Sequence, residues 1–122
     1  MALSRVARKF ADEIRNHDWS DAPFRVDRAG HRRESDVVKS SRTSQLELQQ
    51  TDFVRMNVMW VVGQVLWSED PNFQPYEFAD ACGVDIYAKS GRLNGGIEMG
   101  FRRDAEGRAC SPAEGPGQPS SA

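Results

Sequence analysis

The sequence predicts a small, single-domain, mainly α-helical fold with two principal helices, and three features of the chain indicate it. The length of 122 residues suits one domain and is too short for two ordinary ones. Residues 3–14 place apolar side chains at helical spacing, and residues 53–67 form a longer apolar segment typical of a central helix. We place a single helical domain at residues 1–103 and a disordered tail at residues 104–122.

The first helix is predicted from about Ala2 to Asn16, because its apolar residues recur every three or four positions. These residues are Leu3, Val6, Ala7, Phe10, Ala11 and Ile14. We expect this stripe to pack on the chain's own core, and binding of a partner is the alternative.

Residues 17–43 form a long loop, since they follow neither a helical nor a strand period and contain Pro23 and Gly30. A loop of this length is unusual inside a compact domain, so it is either functional or a mobile linker. The apolar side chains of Trp19, Phe24 and Val26 predict that its first half docks on the core. The second half is expected to be solvated.

The second principal helix is predicted to start near Ser44, because Ser44 and Glu47 have the spacing of a capping box. A start at residues 51–52 is the alternative. The helix should run through Trp67 and end in the polar residues 68–72. Since its apolar residues surround most of the axis, we expect neighbouring elements to enclose residues 53–67.

A short third helix is predicted from Pro75 to Cys82, with Gly83 as its C-terminal stop. The last apolar element, residues 97–101, can pair with residues 84–87 as a small β-hairpin. From Asp104 onward the chain is dominated by proline, glycine, serine and alanine. Such a composition buries too little apolar surface to order itself, which is why we predict a disordered tail.

Charge and composition exclude several classes of protein. The net charge of −2 provides no overall attraction to nucleic acid or to an anionic membrane. The longest apolar run, residues 56–67, falls short of the about 20 residues of a membrane span. The first residues lack the apolar core of a secretory signal, and Cys82 and Cys110 do not form a disulfide framework. We therefore expect a cytoplasmic protein.

The sequence shows no motif of a catalytic or cofactor-binding site. His17, His31, Cys82 and Cys110 are not arranged at the spacing of zinc ligands. Neither a nucleophile elbow nor a glycine-rich phosphate loop is present. We therefore expect a non-enzymatic protein with no cofactor and no metal site.

The loop is the preferred candidate for a contact surface, because tryptophan and arginine are enriched at binding hot spots. Its candidate interaction residues are Trp19, Phe24, Arg25, Arg28, His31, Arg32 and Arg33. The same arginines could contact nucleic-acid phosphates, although neighbouring acids would weaken that attraction.

Three stretches, residues 18–36, 57–66 and 70–85, resemble small uncharacterised proteins encoded by phages of actinobacteria. The resemblance implies a phage-encoded protein of the host cytoplasm and carries no known activity. We expect an accessory interaction module that binds a host or phage protein. A small nucleic-acid-associated regulator using Arg25, Arg28, Arg32 and Arg33 and a virion or connector component are the alternatives.

Overall fold

Four α-helices form the regular structure in this computed structural model, which describes residues 3–35 and 44–112. The predicted mainly α fold is confirmed. Within the described residues, the only extended pairings are two isolated β-bridges. The remainder of the predicted loop, residues 36–43, and residues 113–122 of the predicted tail lie outside this description. The helices are α1 (Arg5–Asn16), α2 (Leu48–Glu69), α3 (Pro75–Ala81) and α4 (Gly95–Met99).

Helix α1 begins one turn later than predicted because Ser4 caps it, its side chain accepting a hydrogen bond from the amide of Ala7 at 3.1 Å. Its buried residues, Ala7, Ala11 and Ile14, belong to the predicted stripe. Val6 and Phe10 from the same stripe remain exposed. The apolar stripe of α1 is therefore wider than the surface that the core covers.

Helix α2 begins at Leu48, so the predicted start near Ser44 is wrong. The amide of Leu46 donates to the carbonyl of Ser20 at 2.6 Å, which ties the preceding segment to the loop. The Gln50 side chain then accepts from the amide of Glu47 at 3.0 Å. A contact distant in sequence thus moves the cap three residues along the chain.

The enclosure predicted for residues 53–67 is also wrong in part. Met59, Gly63 and Gln64 are buried in α2, whereas Phe53 is 54% exposed and Val61 is 71% exposed. Helices α1 and α3 pack against α2, and the C-terminal segment contacts Gln64. These neighbours leave one side of α2 open.

The predicted third helix is confirmed as α3, which ends at Ala81, and Gly83 follows its cap with a φ of 86°, a conformation that glycine adopts without strain. Its Phe78 is fully buried and lies 5.3 Å from Phe73, measured between ring centroids. Trp67 and Phe101 complete this aromatic core, with the two rings 5.4 Å apart. Cys82, the residue that follows α3, is also buried.

The predicted β-hairpin is not formed, because residues 95–99 are helical. Asn94 caps α4 by accepting from the amide of Gly96 at 2.9 Å, and the Trp60 indole donates to the carbonyl of Ile97 at 2.9 Å. Tyr87 instead forms a single bridge with Leu93 across a tight turn.

The fold also extends past the predicted domain boundary at residue 103. Asp104 and Cys110 are buried, and Arg103 and Ala109 form an antiparallel bridge. Residues 103–110 therefore pack against the helical part of the chain. Among the described residues, no helix is long and apolar enough to cross a membrane.

Candidate functional site

The described part of the loop, residues 17–35, is anchored by Trp19. The indole N–H donates to the carbonyl of Ile14 at 2.9 Å, and the ring lies 4.4 Å from that of His17. This confirms for Trp19 the expected docking of the loop on the core. The same expectation is wrong for Phe24 and Val26, since Phe24 is half exposed and Val26 is 98% exposed.

Asp18 fixes the path of the loop between Trp19 and the 3-10 turn at Arg33–Ser35. Its carboxylate accepts from the amides of Ser20 and Arg33, both at 2.9 Å. Burial raises the pKa of Asp18, but hydrogen bonds from Ser20 and from the Arg33 amide outweigh it, and the pKa is lowered. The charged carboxylate therefore holds together two parts of the loop that are distant in sequence.

Inside the loop, an acid–histidine cluster consists of Asp21, Asp27 and His31. Nε2 of His31 lies 3.2 Å from Oδ1 and 3.3 Å from Oδ2 of Asp21, whose side chain is fully buried. Nδ1 of the same ring lies 3.5 Å from Oδ1 of Asp27. The imidazole is thus placed between two carboxylates.

Two arginines pair with this cluster. Nε and Nη2 of Arg25 lie 2.7 and 2.6 Å from Oδ1 of Asp27. Nη1 of Arg33 lies 3.4 Å from Oδ2 of Asp21. Four arginines of the loop were candidates for contact with nucleic-acid phosphates. Two of them, Arg25 and Arg33, therefore form ion pairs with carboxylates of the same loop.

The structure thus divides the candidate interaction residues of the loop. Trp19, Arg25, His31 and Arg33 make internal contacts. Phe24, Arg28 and Arg32 remain on the surface. Residues 25–32 also line an open cleft of about 750 Å³.

The position of His17 at the start of the loop favours the neutral form of its ring. Its Nδ1 accepts a hydrogen bond from the amide of Gly30 at 3.1 Å, which a proton on that nitrogen would displace. Burial lowers the pKa of His17 from 6.5, as does the charge of His31, and both outweigh the opposing effect of three nearby aspartates. The neutral ring is therefore the form that fits the folded loop.

We expect the stability contributed by His17 to be lost as the pH falls below about 6.5, because its pKa is lower in the folded state. In that window the unfolded chain binds more protons, so acid favours unfolding. Urea unfolding followed between neutral and mildly acidic pH measures this slope. His17→Asn is the control, since its side-chain oxygen can accept from Gly30 without titrating. An NMR titration that places the pKa of His17 above 6.5 would contradict this prediction.

A second candidate surface, which we call the open face, consists of Val6 and Phe10 of α1 and Phe53, Val61 and Val65 of α2. Their side chains are 44–71% exposed. A Cβ built on Gly83, beyond the end of α3, would lie 3.3 Å from Cγ of Arg15 and 3.7 Å from Cδ of Arg55. The end of α3 therefore lies against the side of α1 that carries Arg15 and the side of α2 that carries Arg55.

The open face lies on the flanks that α3 does not cover. Successive residues of a helix are rotated by about 100°, so Val6 and Phe10 lie about 140–180° from Arg15 around the axis of α1. Phe53 and Val61 lie about 120–160° from Arg55 around the axis of α2 by the same measure, and Val65 lies about 80° from it. These apolar side chains of two packed helices are thus partly uncovered.

The charged residues at one end of the open face, in the first half of α1, are all positive. Arg5, Arg8 and Lys9 lie in the first half of α1, whose first turn has no acidic residue. Within the described part of the chain these three cations form no ion pair. Between Phe53 and Ser68, Arg55 is the only charged residue of α2. The open face is therefore an apolar surface with a cationic end.

Neither the open face nor the pair of carboxylates around His31 was predicted from the sequence. The spacing of cysteines and histidines does not indicate the carboxylates, because Asp21 and Asp27 are neither. Aspartates that alternate with arginines are typical both of a diluted basic patch and of internal ion pairs. The chain matches no known protein-family model, and no curated protein or solved structure is significantly similar to it.

Proposed function

We propose that this chain is a non-enzymatic protein-interaction module that binds an acidic, amphipathic helix on its open face. The observation that carries the proposal is the exposure of large apolar side chains on the adjacent helices α1 and α2. Clusters of exposed apolar residues of this kind mark interaction sites on small proteins. Two packed helices also offer the type of surface on which a partner helix is commonly bound.

The acidic character of the partner follows from the charges of α1. A helix that packs along the open face with its apolar side would place its polar edge beside Arg5 and Lys9. Acidic residues at that edge would neutralise cations that have no ion pair within the described chain, and they would also favour the N-terminal end of the α1 dipole. The proposal thus accounts for both features of the surface.

The resemblance to proteins of actinobacterial phages supports an accessory phage protein that meets a host or phage protein in the host cytoplasm. The loop is the weaker candidate for the contact surface, because four of its seven candidate residues make internal contacts. A role in nucleic-acid binding is weaker for the same reason, since Arg25 and Arg33 are paired with carboxylates.

Site-specific photocrosslinking in cells that produce the chain together with its natural partners tests the proposal. A photoreactive residue at Val61 should crosslink to one protein, and mass spectrometry should place the adduct on an acidic helical segment. The same residue at Val26, which is more exposed but belongs to the loop, is the control and should give no such adduct.

Matched substitutions then measure the contribution of the open face. Val61→Glu should weaken binding of the crosslinked segment at least about tenfold, because a carboxylate would be buried against apolar groups and near acidic ones. Val26→Glu should leave binding unchanged. An adduct to a second copy of this chain would replace the proposal with self-association. An adduct from Val26 alone, or no adduct, would overturn it.

A further inference from the structure

In the acid–histidine cluster of the loop, one buried carboxylate oxygen has no hydrogen-bond partner among the described residues. Asp21 is fully buried, yet its Oδ1 accepts no hydrogen bond from any described residue and lies 3.2 Å from Nε2 of His31. A charged N–H···O hydrogen bond between such groups is usually about 2.7–2.9 Å long. The long ion pair with His31 is therefore the polar contact of this buried oxygen, and a closer ligand would stabilise it further.

The same distances fit two atoms that bind one metal ion. Ligands held about 2.0–2.1 Å from a tetrahedral zinc ion are about 3.3–3.4 Å from each other. The separations between Nε2 of His31 and the two oxygens of Asp21 are 3.2 and 3.3 Å. Asp27 is the third candidate ligand: one atom from each of the three side chains lies within 4.8 Å of the others. Because Oδ1 of Asp27 lies 3.5 Å from Nδ1 of the ring, this side chain has to move toward Nε2 to complete the site.

We propose that Asp21, Asp27 and His31 bind a divalent transition-metal ion, for which Zn²⁺ is the best match. An imidazole nitrogen together with carboxylate oxygens is a donor set that zinc accepts, and three protein ligands leave a fourth position for water. This proposal does not depend on the proposed function, because the open face includes none of these residues.

The surrounding charges permit a dication. Asp18, Asp21 and Asp27 carry three negative charges, whereas Arg25 and Arg33 carry two positive ones. Arg25 donates to Oδ1 of Asp27, and Arg33 approaches Oδ2 of Asp21, which leaves Oδ1 of Asp21 directed at His31. The two arginines therefore orient the carboxylates, as outer partners of metal ligands commonly do.

Such an ion would connect distant parts of the loop. Asp21 belongs to the turn that follows Trp19, and His31 precedes the 3-10 turn at Arg33–Ser35. The ion would therefore stabilise the loop conformation in addition to the hydrogen bonds of Asp18. The spacing of cysteines and histidines in the sequence does not indicate this site, because two of its three candidate ligands are aspartates.

Titration of the tag-free, metal-depleted chain with zinc tests the proposal by isothermal calorimetry. We expect binding of one ion, and a long-range ¹H–¹⁵N spectrum should show which of the chain's two histidines binds it. The His31 ring should shift to the metal-bound position, whereas the His17 ring should not. Zinc should also raise the unfolding temperature of the unmodified chain.

Substitutions separate this site from adventitious binding. His31→Asn and Asp21→Asn should each weaken zinc binding at least about 100-fold, more than the loss of an outer partner usually costs. Glu34→Gln, an exposed acid of the same loop, is the matched control and should bind zinc normally. The measurements on the unmodified chain remain decisive if a variant fails to fold. No binding, binding through His17, or binding unaffected by His31→Asn would overturn the proposal.

Discussion

Gly100→Ala is expected to destabilise the domain by about 1–3 kcal/mol, the range found when an extra carbon is forced into a packed site. A Cβ on Gly100 would overlap Cε2 and Nε1 of the Trp60 ring. The backbone of Gly100 has a φ of −74°, which alanine adopts without strain, so the effect comes from space alone. Moving the indole would also break its hydrogen bond to the carbonyl of Ile97.

Gly95→Ala is the matched control for this prediction. Gly95 is the first residue of α4, and a Cβ there would meet no atom within 4 Å. Because alanine reduces the freedom of the unfolded chain, this variant should be neutral or more stable by up to about 1 kcal/mol. Urea unfolding followed by tryptophan fluorescence and by circular dichroism measures both variants. Equal stabilities would show that the Trp60 ring does not pack on Gly100.

The elements predicted correctly from the sequence are those with local signals. Pro75 at the start of α3 and Gly83 just beyond its end act within one turn of the residues they control. These signals operate whatever the remainder of the chain does. The periodicity of α1 likewise identified Ala7, Ala11 and Ile14 as buried.

The errors concern interactions between residues that are distant in sequence. A run of apolar residues in α2 shows which side chains avoid water, but it does not show how many neighbours the fold provides. Val61 is therefore exposed despite its apolar surroundings in the sequence. The start of α2 depends on the contact between Leu46 and Ser20, which no local pattern contains.

The candidate site shows the same limit for polar groups. Asp21, Arg25 and Arg33 appear in the sequence as alternating charges of a solvated loop, and only the folded chain shows that they surround His31. Alternating charges are typical both of solvated segments and of internal ion pairs. Burial of Asp21 decides between them, and burial depends on the whole fold.

Gln64→Leu is expected to release the C-terminal segment, because Gln64 holds it through three hydrogen bonds. The buried amide donates to the carbonyls of Arg102 and Cys110 at 3.1 and 3.0 Å, and its oxygen accepts from the amide of Arg102 at 2.8 Å. Each buried backbone group left without a partner costs about 1–3 kcal/mol, so exposing the segment becomes favourable. We expect a total loss of about 2–4 kcal/mol on that basis.

The two cysteines provide a local measurement of this release. Both are buried, and burial raises the pKa of Cys82 to about 12, so neither thiol should react with Ellman's reagent in the native chain. In Gln64→Leu, Cys110 should become reactive while Cys82 stays protected, because only Cys110 lies in the segment that Gln64 holds. Gln49→Leu changes an exposed amide of the same helix and should leave both thiols protected. Protection of Cys110 in Gln64→Leu would mean that apolar packing, and not this amide, orders residues 102–110.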